Sequence, residues 1–124
     1  MYNIQYTNNR KDTCMKKKIT KAGVLRIFTG FRNIAYVLFT KEDFYRGGKK
    51  RNKKKTLLVL SGSIKSYTFV DGKEIEEVLH GLSLRVIPAH VPHQFYTTRK
   101  SWVIEWWNKN YTEEKFPLFY DRKK

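Results

Sequence analysis

Three histidines, His80, His90 and His93, and a run of cations over 46–55 are the residues of this 124-residue chain best suited by type and spacing to do chemistry. Histidine changes charge near neutral pH, so it serves as acid, base or metal ligand. The H-x2-H spacing of His90 and His93 comes without a matching carboxylate, whereas a divalent ion needs several imidazoles or carboxylates together. The spacing therefore predicts no metal site, and the histidines read as loop and barrel-rim residues. Seven of the ten positions over 46–55 (Arg46, Lys49, Lys50, Arg51, Lys53, Lys54, Lys55) are basic. Charge runs are usually solvated, yet guanidinium and ammonium groups also grip phosphate and carboxylate oxygens. Cys14 is the single cysteine, so no internal disulfide forms, and it reads as an exposed thiol.

Short apolar runs must position these residues. Segments 24–29, Asn33–Thr40, 56–60, 82–87, 94–98 and 102–107 have strand character, rich in Val, Ile, Tyr, Phe and Trp. The sharpest local signal is a hairpin, KSYTFV (65–70) and KEIEEV (73–78), joined by Asp71-Gly72. On its first arm Tyr67 and Phe69 share a face. In WVIEWW (102–107), Trp102, Ile104 and Trp106 alternate with Val103, Glu105 and Trp107. The pair Gly47-Gly48 reads as a turn or bulge within a break over 41–48. Residues 1–18 lack periodicity and read as a flexible leader, leaving 19–124 as one domain; the tail over 110–124 reads as a short helix or strap. About eight short strands with turn signals between them predict an all-β barrel or sandwich.

Composition sets the outer limits. A chain of this length makes one domain with a real core. The net charge of +15 and a pI near 10.0 admit a nucleic-acid or other anionic partner. The chain has no apolar run that would span a bilayer and no secretory signal pattern, so the cytoplasm is the default location.

The segments VLSGSI (59–64) and IPAHVPHQF (87–95), with the hairpin and a strand between them, resemble the cupin superfamily. Gly81, Pro88 and His93 match the spacing of the second cupin motif, with His90 where its middle glycine would stand. More narrowly, FYRGG (44–48), KKKT (53–56), VLSG (59–62) and the tail NYTEEKFPLFYD are similar to the nucleotide-sugar ketoisomerase and epimerase-like cupins. The resemblance implies a double-stranded β-helix, or jelly roll, and a homodimer. It also marks a departure. In that group Arg-Gly-Gly is followed by His-x-His, but here Lys49 and Arg51 hold the histidine positions, and Lys55 or Thr56 stands in place of the motif glutamate. Of the four metal ligands only His93 remains, so no metal and no other cofactor is expected.

If 48–51 enters the barrel as the resemblance implies, Lys49 and Arg51 project to one face and present two fixed charges to an anion. Three functions follow. The first is a small-molecule binder for a sugar or nucleotide sugar, with Arg46, Lys49, Arg51, Tyr67, Phe69, His93 and Phe95 lining its site. The second is a metal-independent sugar-nucleotide isomerase or epimerase with His93 and Tyr45 as acid–base pair. The third is a basic module for nucleic acid or an anionic partner. Turnover, saturable affinity and salt sensitivity distinguish them.

Overall fold

The computed structural model describes residues 14–123, with side chains over 15–122. The thiol of Cys14 and residues 1–13 of the expected leader lie outside the described residues. Among the described residues eleven strands run in chain order: β1 (Cys14–Thr20), β2 (Gly23–Thr29), β3 (Asn33–Thr40), β4 (Tyr45–Arg51), β5 (Lys55–Ser61), β6 (Ser63–Val70), β7 (Lys73–His80), β8 (Ser83–Ile87), β9 (His93–Thr97), β10 (Ser101–Asn108) and β11 (Glu113–Lys115). They form two antiparallel sheets, β1-β2-β3-β10-β5-β8 and β11-β4-β9-β6-β7. This is the jelly-roll architecture expected.

Local chemistry explains the elements. The Asp71-Gly72 hairpin forms as predicted, with Val70 opposite Lys73 and both turn residues at positive φ (52° and 74°), the type I′ geometry that matches strand twist. Alternation sets the core. Val103, Glu105 and Trp107 of β10 point between the sheets, where Leu57, Val59, Ile64, Leu79, Ile87, Phe95 and Val103 make one apolar cluster. The other face of the first sheet carries rows in register: Phe39 beside Trp102; Val37, Ile104, Leu58 and Leu84; Ala35, Trp106, Thr56 and Val86. β7, at one edge of the second sheet, is exposed along most of its length and bears Glu74, Glu76 and Glu77.

Two expectations change. Residues 14–18 belong to β1, paired over its whole length with β2, because Met15 has a buried place beside Phe28 that composition does not reveal. The break expected over 41–48 is shorter, because β4 begins at Tyr45, and the Gly47-Gly48 pair lies inside that strand as a bulge, one of its two expected readings. Pairing with β9 passes from Gly47 opposite Gln94 to Lys49 opposite His93, so Gly48 is the extra residue. That inserted residue shifts parity. Arg46, opposite the core residue Phe95, ends on the same inward face as Lys49 and Arg51.

The tail is both strap and helix. β11 adds to β4, and a short helix, α1 (Pro117–Tyr120), follows with a 3-10 turn over Asp121–Lys123. The ring of Phe119 is fully buried against Phe69 and Phe116, and Gln94 Nε2 donates to Phe119 O at 2.8 Å. Gly48 makes this docking possible. At φ +105° a side chain is strained, and a Cβ there would lie 2.9 Å from Tyr120 Cα. Gly48→Ala is therefore expected to lower unfolding stability by roughly 1–3 kcal/mol, read by urea denaturation.

Candidate functional site

β4, β5, β9 and β10 carry charged groups inward to one end of the barrel. A cavity of about 140 Å³ is lined by Tyr36, Arg46, Gly47, Lys49, Arg51, Lys55, Glu105 and Glu113. Four cations face two carboxylates there, an excess of two positive charges.

At its base Lys55 and Glu105 form an ion pair, both side chains about 95% buried. Burial alone would raise the Glu105 carboxyl, but Lys55, Arg46 and Arg51 override it and hold the group down at about 2. Burial pushes the Lys55 ammonium down to about 8, against the pull of Glu105. Arg51 lies 4.4 Å over the Trp107 ring. Its Nε is 3.1 Å from Glu113 Oε1, an ion pair without hydrogen-bond alignment, while Lys49 Nζ donates to Glu113 Oε2 at 2.9 Å. Arg46 sits 5.9 Å from the Tyr36 ring, and its buried Nε has no hydrogen-bond partner among the described residues. Burial and the neighbouring Tyr111 raise the Tyr36 phenol, so it is neutral at pH 7.

His93 is 4% exposed. Its Nδ1 lies 3.2 Å from Val91 O, which can only accept, so Nδ1 carries the proton. Nε2 then accepts from Arg51 Nη1 at 3.2 Å. Burial, with Lys55 and Arg51 nearby, drives its pKa well below the usual imidazole range. The ring is a neutral acceptor held by a guanidinium.

The structure divides the residues expected in the site. Arg46, Lys49 and Arg51 meet at the cavity, and His93 lies behind Arg51, which it holds through Nε2. Phe95 also points inward but belongs to the apolar core. Tyr45, Tyr67 and Phe69 are corrections, because strand alternation sends them to the opposite face. Tyr45 pairs with Tyr96 and packs on its ring at 4.7 Å, and Tyr67 stands opposite the outward Gln94. The Arg122 guanidinium covers Tyr67 at 4.6 Å and Tyr45 at 5.2 Å, and Phe69 packs on Phe116. These aromatics hold the C-terminal segment and do not line the charged cavity. Tyr45 therefore does not reach His93. His80 ends β7 in solvent, and His90 lines an outer groove of about 350 Å³ with Lys50, Arg51 and Glu113.

Sequence reasoning missed Tyr36, Lys55, Glu105 and Glu113 as cavity residues. Glu105 had a signal, since it shares its face with Val103 and Trp107. Lys55 had one too: counting back by twos from Val59 and Leu57 reaches it, although the KKK run masks the period. The metal implied by the cupin resemblance does not fit. Among the described residues no three His, Cys, Asp or Glu side chains come together, and the donors His93 and Glu105 are already held by Arg51 and Lys55.

By sequence, the chain matches no protein-family model and no curated protein. By structure it is similar to the capsular polysaccharide assembling protein CapF from Staphylococcus aureus (TM-score 0.66, 20% identity over 76% of this chain and 30% of that one). It is also similar to oxalate decarboxylase from Bacillus subtilis (TM-score 0.72, 12% identity over 82% of this chain and 30% of that one). The chain thus spans under a third of the length of these proteins, and what it shares with them is the cupin fold. Among the described residues no helix is long and apolar enough to cross a membrane.

The ion pair generates a test. Lys55→Met leaves Glu105 buried without its partner and is expected to cost about 3–5 kcal/mol, whereas Lys55→Met with Glu105→Leu recovers most of it. With the Glu105 carboxyl lowered in the fold, its contribution is complete above the ordinary 4.5 and is lost as pH falls toward about 2. Denaturant unfolding between pH 5 and 2 should show this slope in the parent and not in the double variant.

Proposed function

We propose that the chain binds a small anionic ligand of sugar or nucleotide-sugar type, through fixed cations in place of a metal ion. The observation that carries this reading is the excess positive charge around a partly open cavity, with the Arg46 Nε buried and unpartnered among the described residues. Fixed guanidinium groups favour phosphate or carboxylate oxygens. A volume of 140 Å³ suits the anionic head, and the 350 Å³ groove beyond Arg51 offers room for the remainder. Similarity in fold to a capsular polysaccharide assembling protein is in keeping with a sugar ligand. The basic run also favours a small ligand over a nucleic-acid surface, because Arg46, Lys49, Arg51 and Lys55 face the cavity and only Lys50, Lys53 and Lys54 are left outside it. An isomerase using His93 and Tyr45 lacks comparable support, since the two lie on opposite faces of the sheet.

Calorimetric titration with uridine diphosphate glucose and with inorganic pyrophosphate tests the proposal. Lys49→Ala with Arg51→Ala is expected to weaken binding roughly tenfold or more. Glu113→Gln, which removes the carboxylate already seated on those cations, should strengthen it. Unchanged affinity in both variants overturns the reading.

The chain is further proposed to be a homodimer through the outer face of the first sheet, where Phe39 and Trp102 remain 37%, Leu84 50% and Val86 54% exposed. An apolar face of that extent on one sheet is characteristic of a self-complementary contact. Sedimentation should find a dimer that Trp102→Glu converts to a monomer with an unchanged circular dichroism spectrum.

A further inference from the structure

We infer that Lys55 is a reactive amine that condenses with the carbonyl of a small anionic oxo compound, such as a 2-oxo acid, to form a Schiff base inside the barrel. This deepens the anion-binding reading and rests on it.

Lys55 differs from the lysines beside it in sequence. Its side chain is 4% exposed and borders the cavity, whereas Lys53 and Lys54 line a groove on the surface. Burial and the charges of Arg51 and Arg46 disfavour its ammonium form, bringing it to about 8 against Glu105. Its free-amine fraction at pH 7 is then larger than that of a solvated lysine. Desolvated lysines among cations are the ones that attack carbonyls. The Arg46 guanidinium, on the same cavity wall, supplies a seat for the carboxylate of the oxo acid.

The step balances without an oxidant. The Lys55 ammonium first releases one proton to solvent water, while the paired Glu105 carboxylate stays ionised. The freed Nζ electron pair forms a C–N bond to the carbonyl carbon, and a proton moves from nitrogen to oxygen to give the carbinolamine. The hydroxyl takes a proton back from solvent, the C–O bond breaks, and water leaves a protonated imine, whose charge the Glu105 carboxylate faces. One ammonium and one carbonyl become one iminium and one water.

The native protein at pH 7 is incubated with pyruvate and sodium cyanoborohydride, and adducts are located by peptide mass spectrometry. Labelling of Lys55 is expected to exceed that of Lys53 and Lys54 roughly tenfold or more. It should be suppressed by inorganic phosphate and cut several-fold by Arg46→Ala, a variant that retains the amine. Calorimetry with pyruvate runs in parallel. Saturable binding without preferential labelling of Lys55 overturns the amine chemistry and leaves the anion site standing; neither binding nor labelling overturns both.

Discussion

A buried cation must be answered by a buried anion, and the Lys55–Glu105 pair meets that requirement at the centre of this barrel. The rest of the cavity is arranged around it. With one carboxylate committed to Lys55, the charges of Arg46, Lys49 and Arg51 are left to a half-exposed Glu113, a neutral His93 and the faces of Tyr36 and Trp107. Aromatic rings and an imidazole lone pair satisfy guanidinium groups without cancelling their charge. The cavity therefore keeps a positive field, with the buried Nε atoms of Arg46 and Arg51 left without hydrogen-bond partners among the described residues.

How three side chains of β4 reach that field depends on a single inserted residue. Without the bulge at Gly48, Arg46 and Lys49 would fall on opposite sides of the sheet. The same glycine leaves room for Tyr120, so the bulge that aims the cations also seats the C-terminal helix. Site and tail are linked again through Glu113, which sits on the strap and closes the ion pairs of Lys49 and Arg51.

Much of the architecture was legible in the residues. The strands, the Asp71-Gly72 hairpin and the inward face of β10 follow from period and turn chemistry, and the inward placement of Lys49 and Arg51 follows from the cupin resemblance. Less legible was what depends on parity and long-range register. Tyr67 and Phe69 look like pocket walls because aromatics often are, yet the β6–β9 register turns them outward beneath the helix. Lys55 is hidden in a run whose other members are solvated. Glu113 lies in a polar tail, and only its pairing with β4 reveals a role. The inclusion of residues 14–18 in a strand rests on one buried methionine among lysines, too weak a pattern to read locally.

The carboxylates along β7 have a consequence at a larger scale. That strand is an open edge of the second sheet, while the opposite edge is covered by the short β11. Glu74 and Glu77 are held in place there by Arg122 and Arg85. A backbone arriving from a neighbouring molecule would have to bury those paired charges to continue the ladder, and a second β7 would bring its own glutamates against them. The second sheet is thereby guarded at this edge against open-ended stacking into fibres.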